Sequence, residues 1–147
     1  MRQKVKEWLE EDGYDLSEAD NDDLIWGFEA SKDDFRFGVA VYKDAPKEIT
    51  LTTKVAVVEY AAKFSELPYE KQRDLVYLLK LQLITHVSKF YIPEHRMDTI
   101  PIEASVKEKK LTEDSLLDAV TKIMKGAQIV LWMFEWKLGD VDLGVAS

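Results

Sequence analysis

The sequence predicts an α+β domain in which helices pack on one face of an antiparallel sheet. Apolar and polar residues alternate with a period of two over residues 24–30, 35–42 and 48–57, which is typical of strands with one buried face. Later segments follow a period of 3.6 residues, which indicates helices. Short polar connections join the three strand segments, so neighbouring strands are expected to pair antiparallel.

The first predicted element is a helix over residues 4–11. Val5, Trp8 and Leu9 share one face of it, and Gly13 can end it in a left-handed conformation. The three strands then follow as a meander, because their connections are too short for a crossover.

A central helix is predicted from Pro68 to about Val87. Proline is well placed in a first helical turn, and the residues that follow are mostly good helix formers. Apolar side chains cover nearly the whole circumference of this segment. It is therefore expected to be buried between layers or packed on two sides.

The remaining elements complete the order α-β-β-β-α-(β)-β-α. A short extended piece is expected within residues 90–97, followed by a strand that alternates through Ile100 and Val106. Thr112 and Ser115 open a last, long helix that is expected to end near Leu138-Gly139.

Composition limits the classes of protein to which this chain can belong. With 147 residues, 46% of them hydrophobic, residues 1–147 are expected to form a single α+β domain. The sequence has neither an apolar run of the about 18 to 20 residues that span a membrane nor the features of a secretory leader. The absence of cysteine excludes disulfides and thiolate metal sites. We therefore expect a cytoplasmic protein without membrane partners.

Much of the net charge of −8 lies in residues 10–23, which contain eight carboxylates and no Lys or Arg. Such a surface repels phosphate backbones, so nucleic acid is not an expected partner. A calcium loop would place Leu24 or Phe35 at a ligand position, counted from Gly27 or Gly38, so that template fails. We expect a solvated, partly mobile connection here.

The order of elements is similar to the class I type III secretion chaperone-like fold. Two details, Phe64-Ser-Glu-Leu-Pro68 before the central helix and Leu111-Thr-Glu-Asp-Ser-Leu116 before the last one, resemble a small archaeal family of unknown function. The fold resemblance implies a homodimer that holds unfolded peptide segments on its surface. It implies no shared active site, and it transfers no functional residue to this chain.

The sequence contains no motif for catalysis or cofactor binding. All six glycines are isolated, which excludes a glycine-rich phosphate loop, and His86 and His95 without cysteine do not form a zinc motif. His86 is expected as a core or edge residue of the central helix, and His95 in an exposed loop. The alternative is a small-ligand or enzymatic site built from His86 and carboxylates. No cofactor and no metal are expected.

The last helix has a clear anomaly. Trp132 and Trp136 point away from its core stripe, and Ile129 and Met133 flank them. Exposed tryptophans are unfavourable unless something covers them. Another part of the same chain, a second protein chain or a small apolar ligand could do so. The predicted core stripe comprises Leu116, Val120, Ile123, Ala127, Val130, Leu131 and Phe134.

The surplus apolar surface of the central and last helices predicts self-association, for which a two-fold pair is the commonest arrangement. The sequence therefore predicts a non-catalytic protein-binding or chaperone-like domain. We expect it to be a homodimer, with a peptide or another protein as a further partner. The predicted interface comprises Ile129, Trp132, Met133 and Trp136.

Overall fold

The computed structural model describes residues 1–94 and 96–139, and it has the α+β fold that the sequence predicts. The helices in this part of the chain are α1 (Arg2–Glu11), α2 (Ala61–Glu66), α3 (Tyr69–Leu83) and α4 (Glu113–Phe134). The strands are β1 (Asp15–Glu18), β2 (Leu24–Lys32), β3 (Phe35–Tyr42), β4 (Glu48–Ala56), β5 (Lys89–Phe90) and β6 (Thr99–Lys107). Short 3-10 helices occupy Val58–Tyr60 and Glu108–Lys110, and a π-helical turn, Glu135–Gly139, continues α4.

The strands form a six-stranded antiparallel sheet in the order β1-β2-β3-β4-β6-β5. Phe28 lies opposite Val39, and Val39 opposite Leu51, so these buried side chains share one face of the sheet. This confirms the prediction that the three alternating segments are consecutive antiparallel neighbours. A bulge between Leu24 and Trp26 shifts the register of β2.

The expectation for the acidic run is wrong at residues 15–18, which form the edge strand β1 instead of a solvated connection. β1 pairs with β2 from Asp15 opposite Ser31 to Glu18 opposite Phe28. Pairing uses backbone groups, so an edge strand tolerates the outward carboxylates, while Leu16 is half-buried. The Arg2 guanidinium, on α1, forms an ion pair with Glu18.

The central helix is shorter than predicted. It begins after Pro68, as expected, but ends at Leu83 instead of near Val87. The next residues include β-branched side chains and His86, which are weaker helix formers than the Leu, Lys and Gln before them. The sequence also did not predict α2, which lies just before Pro68. The Gln72 side-chain amide holds this connection together by donating hydrogen bonds to the carbonyl oxygens of Phe64 and Leu67, at 3.0 and 3.1 Å.

Within its own chain, α3 is packed on one side, and packing on a second side stays a prediction. One face of α3 is buried and consists of Leu75, Val76, Leu79 and Leu83. Tyr77, Leu81 and Ile84, on another side, are exposed by 62%, 48% and 69%. The apolar circumference that the sequence shows is therefore divided between a core face and an open face.

The chain divides into two compact units. The first, Met1–Thr53 with Glu103–Met124, has 11 Lys and Arg against 19 Asp and Glu, and we call it the acidic unit. The second, Lys54–Ile102 with Lys125–Ser147, has 9 Lys and Arg against 9 Asp and Glu, and we call it the neutral unit. The entire net charge of −8 therefore belongs to the acidic unit. A single domain over residues 1–147 stays a prediction.

Each unit has its own apolar core. In the acidic unit, the Tyr14 ring meets Phe37 edge-on at 5.2 Å between ring centroids, next to other buried sheet residues. In the neutral unit, the Tyr60 ring lies 5.7 Å from that of Phe134. Phe134 is completely buried, as are Leu79, Leu83, Ile100 and Val130 of the same unit.

Candidate protein-interaction surface

α4 begins at a reciprocal pair of hydrogen bonds. The Ser115 backbone N–H donates to Thr112 Oγ1 at 3.0 Å, and the Thr112 N–H donates to Ser115 Oγ at 2.8 Å. This arrangement satisfies N–H groups that have no partner within the helix. The predicted start of the last helix is confirmed. Its 22 residues span about 33 Å, enough for both a core stripe and a long outer face.

The core stripe of α4 agrees with the prediction at most positions. Its fully buried members include Leu116, Ile123, Val130 and Phe134. Leu131 is a correction, because 41% of it is exposed. It lies about 100° round the helix from Val130, which turns it out of the core.

The outer face of α4 carries two exposed tryptophans. Trp132 is exposed by 60% and Trp136 by 58%, and both point away from the buried stripe, as their helical spacing predicts. Ile129 and Met133 are half-buried beside them. We call these four residues the tryptophan surface.

The π-helical turn after Phe134 shapes the end of this surface. The Lys137 ammonium lies 3.8 Å from the centroid of the Trp136 ring, so a cation occupies one face of that indole. Leu138, in the same turn, is 1% exposed and returns the chain to the core. The Lys63 ammonium donates a hydrogen bond to the Leu138 carbonyl at 3.5 Å. Buried Leu138 and exposed Trp136 thus occupy opposite sides of one anchored turn.

Exposed apolar side chains are unequally divided between the two units. Eleven large apolar residues are exposed among the described residues, and only Ile25 and Met124 lie in the acidic unit. A contiguous exposed apolar patch marks an interaction surface, whereas scattered exposed residues need no explanation. The nine in the neutral unit are Val58, Tyr69, Tyr77, Leu81, Ile84, Tyr91, Leu131, Trp132 and Trp136.

The acidic unit differs from the neutral unit in its electrostatics. Tyr42, at the end of β3, is half-buried, and its burial raises the pKa of the phenol above its ordinary value. Neighbouring carboxylates add to the rise in this pKa, Glu103 most among them and then Asp23, Asp44 and Glu29. The outer side of this region therefore has a negative potential.

His86, the residue named for the alternative enzymatic site, lies outside the helix to which the sequence assigns it. His86 lies beyond α3 in the turn that follows it, half-buried, and its backbone N–H donates to the Leu83 carbonyl at 3.0 Å. His95 lies outside the described residues. Within residues 1–94 and 96–139, no three His, Asp or Glu side chains are grouped so that they could hold a metal ion. None of the helices described there is long and apolar enough to cross a membrane.

A cleft of about 750 Å³ lies in the acidic unit, between residues 45–48 and residues 107–109. The Glu108 N–H donates to the Lys47 carbonyl at 2.8 Å and joins its two walls. Its ionisable lining residues are Lys47, Lys107 and Lys109 with Glu48 and Glu108, all of them exposed or half-buried. Opposite charges nearly cancel there, so the cleft has no strong preference for an anion or a cation.

Comparison with known proteins places the chain in a family. The model of an uncharacterized conserved protein family, DUF2299, matches residues 1–134. The chain belongs to this family. No curated protein matches the sequence.

A crystal structure of an uncharacterized protein from Methanothermobacter thermautotrophicus resembles this DUF2299 chain with a TM-score of 0.85 and 18% sequence identity. The match covers 93% of this chain and 98% of the other. This likeness shows a shared fold with a protein of archaeal origin. The prediction of an uncharacterised family is confirmed, and an archaeal protein shares the fold.

Proposed function

We propose that this DUF2299 protein acts by non-catalytic protein association, and that the tryptophan surface is the interface of a homodimer. The observation that carries the proposal is the exposure of Trp132 and Trp136 on a helix whose opposite face is fully packed. A tryptophan side chain has up to about 250 Å² of solvent-accessible surface, so each of these two exposes about 150 Å². Burying both in each of two copies contributes on the order of 10 kcal/mol before the cost of association.

The charge distribution supports a second copy as the partner. The tryptophan surface lies in the neutral unit, where 9 basic residues balance 9 acidic ones. Two copies can therefore approach through this unit without the repulsion that two acidic units would experience. Trp and Met are also enriched at protein interfaces, and tryptophans are frequent binding hot spots.

The similarity of the element order to the type III secretion chaperone-like fold adds a second candidate function, the holding of unfolded peptide segments. The exposed aromatic rings of Tyr69, Tyr77 and Tyr91 favour it, because such rings bind extended apolar segments of varied sequence. Mass spectrometry of the protein purified from its native cells under mild conditions tests this candidate. Bound polypeptides in stoichiometric amount would support peptide holding. Their absence would leave self-association as the proposed activity.

The homodimer is tested by sedimentation of the wild type and of the double variant Trp132→Glu/Trp136→Glu. We expect a dimer for the wild type and a monomer with unchanged far-UV circular dichroism for the variant, because glutamates would meet across the two-fold axis. Val58→Glu is the matched control, since Val58 is 65% exposed in the same unit but lies outside α4. A monomeric wild type overturns the proposal. A double variant that unfolds assigns both tryptophans to the core of their own chain.

A further inference from the structure

We infer that the second copy docks its α4 into a groove between α3 and α4, with Tyr77 of α3 and Ile84, which directly follows α3, forming the second wall of the interface. This inference rests on the proposed homodimer, and it adds a surface that the tryptophan positions alone do not indicate. It follows from how closely the two helices approach, from the directions of their side chains, and from the area that a stable dimer needs.

Gly126 sets the approach of the two helical segments. A Cβ atom at this position would lie 2.8 Å from Val87 Cγ1, 2.9 Å from Ile102 Cδ1 and 3.7 Å from Leu83 Cδ2. Distances below 3 Å leave no space for a side chain, so the α4 backbone lies directly against Val87, which follows α3, and Ile102 of β6. Leu83, the last residue of α3, is at ordinary van der Waals distance from the same position. Gly126, Val87, Ile102 and Leu83 all belong to the neutral unit.

Helical spacing then places the tryptophan surface along the same contact line. Ile129 and Met133 follow Gly126 by three and seven residues, so the three positions form one stripe on the side of α4 that faces α3. Their half-buried state agrees with a position at the edge of this contact. Trp136 and Trp132 lie farther round the helix toward solvent, and they form one wall above Ile129 and Met133.

The opposite wall comes from α3. Leu83 faces Gly126, and the next residue, Ile84, turns about 100° away from that contact toward solvent. Tyr77 precedes Ile84 by seven residues and therefore lies on the same stripe. Both are more than 60% exposed, at 62% for Tyr77 and 69% for Ile84. The groove thus has aromatic and aliphatic side chains on both walls and apolar side chains along its floor.

The area of the interface requires both walls. Stable protein interfaces bury about 800 Å² on each partner, and the two exposed tryptophans supply only about 300 Å². Tyr77 and Ile84 add roughly 200 to 250 Å². Together with Ile129, Met133 and the polar rim, this brings each copy close to the area of a stable dimer. The tryptophan surface alone would give a weak, transient contact.

The occupant of the groove is α4 of the second copy, because a two-fold contact is reciprocal. Trp132 and Trp136 of one copy would pack against Tyr77 and Ile84 of the other, and the same contacts would repeat in the opposite direction. A helix that places an apolar stripe in an apolar groove is a common mode of recognition between proteins. The charge balance of the neutral unit allows two identical surfaces to meet in this way.

The first experiment compares the dimer dissociation constants of Tyr77→Glu/Ile84→Glu and of a control on the same helix. We expect the double variant to weaken the dimer by about 100-fold or more, because each copy would place two charges in an apolar contact. Gln82→Glu adds one negative charge to an exposed site on the other side of α3 and should leave the constant unchanged, and each single variant, Tyr77→Glu or Ile84→Glu, is compared with it at equal charge. If Tyr77→Glu/Ile84→Glu dimerises as tightly as the wild type, the inference is wrong. The homodimer itself would still be supported if Trp132→Glu/Trp136→Glu dissociates it.

A second experiment keeps the test decisive if the double variant does not fold. The chain has no cysteine, so single cysteines can be introduced without background. A tagged Ile84→Cys chain is mixed with an untagged Gln128→Cys chain, in which Gln128 lies one turn before Trp132 on α4. Mild oxidation should give a tagged–untagged disulfide dimer. Gln82→Cys in place of Ile84→Cys should not give this dimer. If Gln82→Cys and Ile84→Cys cross-link equally to Gln128→Cys, the inference is wrong.

Discussion

The acidic unit and the neutral unit have cores of the same kind and surfaces of different kinds. Both bury a phenylalanine ring beside a tyrosine ring, Phe37 beside Tyr14 and Phe134 beside Tyr60. The acidic unit has eight more acidic than basic residues and two exposed large apolar side chains. The neutral unit is balanced in charge and has nine such side chains among its described residues. Charge keeps the first surface hydrated, and the second has little to prevent association. The two units thus differ in the charge and the apolar exposure of their surfaces, and not in the kind of core that they have.

The largest expected effect is the loss of stability when a core phenylalanine is removed, and it tests whether the two cores unfold together. Phe37→Ala in the acidic unit and Phe134→Ala in the neutral unit should each lower the free energy of unfolding by about 3 to 5 kcal/mol, because each removes a buried ring and leaves a cavity. We expect one cooperative transition in both variants, since residues of β4, β6 and α4 belong to both units. Urea unfolding followed by circular dichroism and by tryptophan fluorescence measures this. Two separate transitions would show that the units are separate domains.

A substitution at the helix cap in the acidic unit should change the stability of the fold without changing its association. Thr112→Ala removes the hydroxyl that accepts from the Ser115 N–H and should lower the free energy of unfolding by about 1 kcal/mol. The dimer dissociation constant should not change, because the cap lies in the acidic unit. Thr121→Ala is the control, since Thr121 lies within the same helix and its hydroxyl bonds only to the Leu117 carbonyl. Weaker dimers in Thr112→Ala would place part of the interface in the acidic unit.

Alkaline pH probes the negative potential around Tyr42. Its pKa is raised in the folded protein, by burial first and by the carboxylates of Glu103, Asp23, Asp44 and Glu29 second. Below pH 10, the ordinary value, the phenol is protonated in both states and its contribution to stability is complete. Above it, the unfolded chain loses the proton first, so the free energy of unfolding falls as pH rises through the folded pKa. Tyr42→Phe should reduce this fall.

The matched measurement is an absorbance titration of the phenolate in the wild type and in Glu103→Gln. Removing this carboxylate should lower the pKa of Tyr42, although burial keeps it above its ordinary value. An unchanged titration would mean that the negative potential at this end of β3 does not come from Glu103.

The smallest expected effect concerns salt. Raising the ionic strength should leave the dimer dissociation constant nearly unchanged, because the neutral unit has equal numbers of basic and acidic residues. The same salt should slightly raise the unfolding midpoint by screening repulsion within the acidic unit. Sedimentation and thermal unfolding over one salt series measure both. A dimer that dissociates steeply with salt would contradict an interface held by apolar contacts.

The sequence predicted those elements whose pattern repeats over many residues. The alternating segments became β2, β3 and β4, and the Thr112–Ser115 signal marked the start of α4. It failed where the signal was short or was dominated by charge. The edge strand β1 was missed because its backbone pairs with β2 although its side chains are mostly acidic. The helix α2 has only six residues, too few for a helical period to be seen.

The candidate surface was only partly predictable. The spacing of Trp132 and Trp136 determined that they lie opposite the core stripe of α4, since a helix turns by about 100° per residue whatever surrounds it. The same reasoning wrongly placed Leu131 in the core, because helical periodicity alone does not show where the buried stripe ends.

The sequence by itself thus determined the fold class, the excess of acidic charge and the outward direction of the two tryptophans, because these depend on composition and on local periodicity. Only the tertiary structure decided that the outer side of α3 is open within the chain, that Gly126 of α4 lies directly against Val87 and Ile102, and that all of the net charge lies in one unit. An apolar helix can be covered on one side or on two, and its own residues are the same in both cases. The difference comes from long-range packing, which depends on segments far apart in the chain.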